Sequence, residues 1–436
     1  TTVFGAPRLR PAPVAATGWN ASTRARLVIS GAVIFVLLVG ANLATPLYPL
    51  IQAQLGLSPL DVTAAFATYV LALVATLMLA GHWSDHIGRR AALLLAAVTG
   101  LAGGWVFAGA EALPARCAGR ALQGVAVALA TGASAAALRE LLPSRPEWAS
   151  RFTLLASSGG VAAGPALGGV FSLLPGATAA PYAVYSLILA ALLVPLYLIK
   201  ARPAIVHPAT SRPLLALAPR RLSVARNARG AFWLGAGVGF LSFAVFGFCL
   251  SLAPGYFAQV LDTDSRPLVG VAAGLPLAAS AASQLAAARS RYTVPAGLAV
   301  LGGAVFLLGA AGLWQNPWLL VLAAAGAGAG QGLAFRTVFN EVAARVEPAR
   351  HAQVVSTVYV ITYLGSAVPV LGLGWATGVF GQAAAVAGFV LACGSAALVL
   401  SAVTFFRALR LRRVPGHYAW HTVRPYSCAV QSKQAR

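Results

Sequence analysis

Runs of some twenty consecutive apolar residues recur along this chain, and no other feature restricts its fold so tightly. A helix needs roughly 20 mostly apolar residues to cross about 30 Å of hydrocarbon. Twelve runs of that kind are predicted, near 27–49, 62–81, 91–110, 115–138, 152–174, 181–200, 231–256, 267–288, 294–314, 317–341, 352–377 and 382–406. Lipid offers the backbone no hydrogen-bond partner, so each run is expected to be helical. The fold class that follows is an all-α polytopic membrane protein with 12 transmembrane helices. Composition agrees: 59% of residues are hydrophobic, 9% are charged and the mean hydropathy is +0.79, whereas about 25% of an ordinary soluble domain is charged.

A net charge of +22 would suggest a nucleic-acid partner in a soluble protein. The distribution of the 31 basic residues argues otherwise. With the N-terminus on the cytoplasmic side, only Arg116 and Arg266 fall outside the cell, Arg120 and Arg336 fall within spans, and the rest lie in inner loops and tails. That asymmetry is the positive-inside pattern, which predicts a multi-pass protein of the cytoplasmic membrane with both termini cytoplasmic. Membrane lipids are the expected partners of Arg407, Arg410, Arg412 and Arg413, which follow the last span closely. Residues 1–26 read as a cytoplasmic tail, and the apolar run after them is too long for a cleavable signal core, so the first span is expected to stay. Cys117, Cys249 and Cys393 lie in spans and Cys428 in the tail, without metal-ligand spacing, so free thiols and neither a metal nor a cofactor are expected.

The chain repeats itself. A shift of 208 residues superposes Pro46 on Pro254, Tyr48 on Tyr256, Pro59 on Pro267, Leu60 on Leu268, Gln123 on Gln331 and Gly124 on Gly332. A shift of 204 aligns Pro165-Ala166-Leu167-Gly168 with Pro369-Val370-Leu371-Gly372. Six spans per unit start both units on the same side of the membrane, giving two parallel repeats about an axis along its normal. The expected organisation is a six-helix bundle at 27–200, a basic cytoplasmic linker at 201–230 with Pro203, Pro208, Pro213 and Pro219, a second bundle at 231–407, and a basic, poorly ordered tail at 408–436.

Between the second and third runs lies Gly81-His82-Trp83-Ser84-Asp85-His86-Ile87-Gly88-Arg89-Arg90. Glycine permits the tight turn, and the carboxylate at this depth seeks a cation or a helix N-terminus. The run resembles the signature loop of the major facilitator superfamily (MFS), Gly-x-x-x-Asp-Arg-x-Gly-Arg-Arg, with His86 where that family carries arginine. The resemblance implies a latch for the outward-facing state, in which Asp85 pairs with nearby cations and the start of the eleventh helix. Here Arg89, Arg90, Glu140 and the helix start near Ala352 stand at the matching places. An imidazole titrates near pH 6.5 where a guanidinium does not, so His86 implies a weaker or pH-dependent latch. In the second unit the corresponding loop, Arg289-Ser290-Arg291-Tyr292-Thr293, has no acid.

Two further patterns point the same way. Arg120-Ala121-Leu122-Gln123-Gly124 is similar to the family's Arg-x-x-Gln-Gly, which in proton-coupled members places an arginine near the proton route. Arg120 lies about five residues from the outer end of its span, so reaching the interface is the competing reading. Gly160, Gly164, Pro165, Gly168 and Gly169 match the Gly-x-x-x-Gly-Pro-x-x-Gly-Gly pattern of the antiporter branch, implying a bent, closely packed helix. The spans that line the centre of such carriers offer Asn42, Thr45, Tyr48, Gln123, Thr131, Phe243, Phe246, Tyr256, Gln331 and Asn340. Ordinary packing competes for each of these singly. As a group they suit an apolar or amphipathic solute.

The nine acids sit almost wholly at span ends or in loops; Glu341, five residues after Arg336, is the best remaining candidate for proton coupling, and a structural ion pair explains it equally well. An intramembrane enzyme would need titratable groups converging at one depth, yet no histidine falls in a predicted span, so an enzyme is not expected. The expectation is a monomeric secondary active transporter resembling the 12-helix drug:proton antiporter branch, moving a small amphipathic or apolar compound by alternating access. Efflux by proton antiport is the favoured mode, and a facilitator or importer without proton coupling is the alternative.

Overall fold

Each apolar run folds as a helix, and among the residues described twelve helices are long and apolar enough to cross a membrane. The computed structural model describes residues 19–81, 83–200, 229–286, 290–345 and 351–410. Most of the expected tails and nearly all of the expected linker lie outside that set, while residues 23–26 and 408–410 belong to the first and last helices. In chain order the spanning helices are α1 (Thr23–Asn42), α2 (Pro59–Ala80), α3 (Arg89–Ala108), α4 (Leu113–Leu141), α5 (Pro146–Phe171), α6 (Ala180–Leu198), α7 (Arg229–Leu250), α8 (Arg266–Ala286), α9 (Thr293–Leu313), α10 (Pro317–Arg345), α11 (His351–Phe380) and α12 (Gln382–Arg410).

The helix ends follow local chemistry. Ser58 Oγ accepts from the Asp61 amide at 3.2 Å while Asp61 Oδ2 accepts from the Ser58 amide at 2.9 Å, a capping box with Pro59 opening the helix. Asn316 Oδ1 accepts from the amides of Trp318 and Leu319 at 2.9 and 3.2 Å, starting α10. The first span departs from its expected single run over 27–49. Pro46 has no N–H to continue the ladder, so α1 stops at Asn42, passes through a 3₁₀ turn at Thr45–Leu47 and resumes as a short helix over Tyr48–Leu55. The second unit repeats the device, with α7 followed by a short helix over Ala253–Val260 containing Pro254.

Packing repeats with the sequence. In the first six helices α1 packs on α4 and α5, α2 on α4, and α3 on α4 and α6. Six helices on, α7 packs on α10 and α11, α8 on α10, and α9 on α10 and α12. The two sets meet chiefly through α5 against α8 and α2 against α11, contacts that exchange when each helix is replaced by its counterpart. Hydrocarbon supplies no hydrophobic drive between helices, so close approach at small residues does the packing. A Cβ on Gly103 would sit 3.0 Å from the Gln123 amide nitrogen, and one on Gly297 2.7 Å from the Gly330 carbonyl, which holds α3 on α4 and α9 on α10. Large apolar side chains such as Leu187, Trp318 and Leu391 cover the outer flanks, where lipid makes them neutral.

This path predicts the accessibility of the loops. In a background lacking native cysteines, Leu174→Cys and Asp264→Cys should react with an impermeant thiol reagent from one face of the membrane, and Ser144→Cys and Ser290→Cys only from the other. Labelling of intact and opened vesicles measures it, and a mixed pattern would contradict twelve crossings.

Candidate functional site

Between the two helix sets lies a cavity of about 780 Å³. It reaches from Asn42, Phe246 and Leu250 at mid-depth to Ser84, Asp85, Arg89 and Arg139 at one end. At the other end the sets are in contact: Thr45 Oγ1 donates to the Leu250 carbonyl at 3.2 Å, and a Cβ on Gly374 would meet the Thr63 side chain and the Pro59 carbonyl. The cavity therefore opens on the Asp85 face and is sealed on the Asp61 face.

The glycines of α5 pack it first on α1 of its own set and then on α8 of the other. A Cβ on Gly160 would lie 2.5 Å from the Phe35 carbonyl, and one on Gly164 2.6 Å from Asn42 Cβ, so α5 rests backbone-to-backbone on α1. One turn on, Gly168 abuts the Leu43 carbonyl and Gly169 abuts Arg266 and Pro267 of α8. From the facing side Gly270 meets the Pro165 carbonyl and Gly274 the Ala162 carbonyl. Further along α5, Leu154, Ser157 and Ser158 line the cavity opposite Leu277, Ser280 and Gln284 of α8. The two helices touch at one end and diverge at the other.

Of the residues expected in the centre, Asn42, Thr131, Phe243, Phe246 and Gln331 line the cavity. Thr45, Tyr48, Gln123, Tyr256 and Asn340 do not. Thr45 belongs to the seal, Gln123 is buried inside the first helix set, Tyr256 donates to the Leu308 carbonyl at 2.6 Å, and Asn340 is exposed near the end of α10. The physical reason for Thr45, Tyr48 and Tyr256 is the break after α1 and α7, which turns the chain across the sealed end.

The wall contributed by the second helix set is aromatic. Phe243 lies 5.3 Å from Tyr363, 5.8 Å from Phe335 and 6.2 Å from Phe246 between ring centroids, and Phe339 and Tyr359 extend the group with a separation of 5.2 Å. Sequence reasoning missed Phe335, Phe339, Tyr359 and Tyr363. Their signal was present as aromatic pairs four residues apart on α10 and α11, which a helix places on one face. Three hydroxyls of the cavity lining are spent on their own helices: Thr131 Oγ1 donates to the Val127 carbonyl at 2.7 Å, Ser157 Oγ to the Thr153 carbonyl at 2.5 Å and Ser366 Oγ to the Tyr363 carbonyl at 2.8 Å. Among the described residues, charged side chains on the lining are confined to Asp85, Arg89 and Arg139.

Asp85 and Arg89 belong to the signature loop, and Arg139 to α4. Gly81 closes α2, the short helix Ser84–Ile87 follows, and Gly88 turns the chain into α3 with φ +93°, a conformation that favours glycine. Arg89 donates to Asp85 Oδ1 at 2.6 Å, to Ser84 Oγ at 2.7 Å, and through Nε and Nη2 to Glu140 Oε1 at 3.0 and 2.9 Å. Arg90 goes elsewhere: it donates to the carbonyls of Leu196 and Tyr197 and so caps the end of α6. The side chains of His86 and Ala352 lie outside the described residues. Glu341 is partly buried near the Asp85-face end of α10 and has a partner there.

Arg120 does not reach the interface. It is 1% exposed, its guanidinium stacks 4.5 Å over the Tyr69 ring, and Nη1 donates to the Ala41 carbonyl and to Gln123 Oε1 at 2.6 Å. Tyr69 lines the cavity, so Arg120 stands behind it.

Two outcomes follow. Gly164→Val should part α1 from α5 and abolish transport while leaving membrane insertion intact; normal flux would show that transport does not depend on this contact. Arg89→Ala removes both ion pairs, and hydrogen bonds to charged groups contribute about 1.5–3 kcal/mol each. Its unfolding midpoint should fall below those of Asp85→Asn and Glu140→Gln, which each leave one pair.

Comparison with known proteins agrees with this geometry. Two Mycobacterium tuberculosis proteins, from strains CDC 1551 and H37Rv and both described as uncharacterized MFS-type transporters, are 30% identical over 168 residues, covering 38% of this chain and 24% of each relative. The chain thus spans about a quarter of the length of these curated relatives. Among solved structures, a bacterial homolog of the human lysosomal transporter Spinster, crystallised inward-facing and unoccupied, shares the fold with a TM-score of 0.69 at 15% identity, over 90% of this chain and 99% of that one. Its occupied form gives 0.67 at 14% identity over 91% and 100%. The family model of the Major Facilitator Superfamily matches residues 31–296, well over half the sequence, and the chain belongs to that family.

Proposed function

We propose that this protein is a secondary transporter that moves a small amphipathic or apolar compound across the cytoplasmic membrane by alternating access, acting as a monomer. The observation that carries the reading is the cavity: a wall of aromatic rings in edge and tilted contact, hydroxyls bonded back to their own helices, and, among the described residues, charge only at its mouth. A sugar or polyanion entering it would lose water and gain few hydrogen bonds, whereas an apolar ring system would lose nothing. The Asp85 face is the cytoplasmic one on the positive-inside pattern, which makes this an inward-open arrangement. Exchange with the opposite state requires the α5–α8 and α2–α11 contacts to open as the other end closes.

Efflux by proton antiport is the favoured mode, supported by the glycine pattern of α5 and by Arg120 behind Tyr69. Lipid and proton are then the remaining partners. A second reading, a facilitator or importer without proton coupling, is favoured by the lining itself, where the carboxylate among the described residues is Asp85 at the mouth and already paired with Arg89.

Purified protein in liposomes with an imposed pH gradient decides between them, using lipophilic cations, neutral aromatic drugs and amino acids. Aromatic amphiphiles should be the transported group, and flux independent of the gradient would favour the facilitator. Aromatic pairs contribute about 0.5–1.5 kcal/mol beyond area burial, so Phe335→Ala or Tyr363→Ala should raise the half-saturating concentration of the best solute by roughly five- to tenfold. Unchanged values would remove the aromatic wall from recognition.

A further inference from the structure

The first helix set holds a second group of polar side chains, away from the cavity, at its Asp61 end. Tyr48, Arg116, Arg120, Gln123 and Tyr182 are each more than nine-tenths buried, and none lines the cavity. They form one cluster: Tyr48 and Tyr182 each interact electrostatically with both guanidinium groups, and Tyr182 also with Tyr48 and Gln123. The arginines are packed in place by aromatic faces, Arg116 at 4.9 Å over Phe107 and Arg120 at 4.5 Å over Tyr69.

The cluster is short of acceptors. Arg116 Nη1 donates to the Phe107 carbonyl at 2.8 Å, and Arg120 Nη1 uses the Ala41 carbonyl and the side-chain oxygen of Gln123. Gln123 Nε2 faces the Tyr182 oxygen, which accepts from it, so the donors left over are Tyr48 OH, Arg116 Nε, Arg120 Nε and the Tyr182 proton, all buried. Every one of these groups can donate. Among the described residues neither guanidinium has a carboxylate partner. Two buried cations with donors in excess and no counter-charge are costly at membrane depth, and the missing complement is an acceptor bearing negative charge.

The internal repeat supplies a control. A shift of 208 residues carries Arg116 to Ala324, Arg120 to Gly328, Tyr48 to Tyr256 and Gln123 to Gln331. There the same corner packs without cations: Tyr256 donates to the Leu308 carbonyl, and Gln331 Oε1 accepts from Ser280. The fold can build this corner without either arginine, so the cationic cluster is an addition to the architecture.

We infer that Tyr48, Arg116, Arg120, Gln123 and Tyr182 form a binding site for a small monovalent inorganic anion of halide size. Four spare donors and two positive charges in one buried cluster match a compact anion, which needs neither shape recognition nor a donor of its own. A larger organic acid would have to enter through the cavity, from which Tyr69 screens Arg120. Tyr48 borders a small void of about 70 Å³ between the helix sets at the sealed end, beside Gln52, Ser251 and Thr377. The anion enters there when that end opens. Binding is thus a property of the first helix set and does not depend on which solute the cavity carries.

Thermal unfolding of the purified full chain tests this, with sodium gluconate replaced stepwise by sodium bromide at constant ionic strength. The expected result is a saturable rise in the midpoint on the order of 3 °C. Tyr48→Phe and Tyr182→Phe each delete one donor and little volume, and should shift the half-effective bromide concentration upward by roughly tenfold, the weight of one hydrogen bond to a charge. Gln123→Glu installs a fixed carboxylate and should abolish the bromide response, whereas Tyr256→Phe at the equivalent corner should leave it intact. A midpoint that is the same in gluconate and bromide would overturn the inference. So would a bromide response that survives unchanged in both phenylalanine variants, a result that needs no folded Gln123→Glu protein.

Discussion

Hydrocarbon gives the peptide group nothing to bond with, and the architecture descends from that constraint. It obliges each crossing to be a helix, and it also removes the hydrophobic drive that would pull helices together in water. What is left to hold α5 on α1 and α8, or α3 on α4, is close contact between backbones. Such contact is available only where side chains are absent. The glycines of α5 and α8 lie against the facing carbonyls at distances a Cβ would occupy, so the seal is short-range and sensitive to separation. A contact of this kind suits a gate, because tilting the helices by a few degrees forfeits it at one end and creates it at the other.

The same economy explains the cavity. Helices that meet tightly at the Asp61 face and diverge toward the Asp85 face leave a wedge of space between them, walled by whatever their inner faces carry. On α7, α10 and α11 those faces carry Phe243, Phe335, Phe339, Tyr359 and Tyr363. On α1, α4 and α5 they carry Asn42, Thr131, Ser157 and Ser158. The two helix sets therefore share a fold while most of the aromatic rings gather on one side of the cavity.

Polar groups at depth divide into those satisfied and those left in want. The signature loop is satisfied: Arg89 bridges Asp85 on its own turn and Glu140 across on α4. Arg120 and Arg116 have only carbonyls, an amide oxygen and aromatic faces around them. One arginine locks neighbouring helix ends together. The other two create a local excess of positive charge that calls for a ligand.

Much of this could be read directly from the residues, because hydropathy over twenty residues and the spacing of basic loops are local properties that the bilayer reads one segment at a time. The twelve helices and their repeat needed nothing else. The lining of the cavity was only partly legible. Asn42, Thr131 and Phe243 fall on it, while Tyr48 and Tyr256 lie beyond the breaks after α1 and α7 and turn into the sealed end. Tyr359 and Tyr363 carry no mark that separates a cavity-facing ring from one packed in a core. Nor did Arg120 reveal whether it would reach the interface or stand behind Tyr69. Those questions turn on which helices approach and by how much, and that is settled by contacts between residues far apart along the chain, 51 positions for Arg120 and Tyr69 and 120 for Phe243 and Tyr363, which no periodicity records.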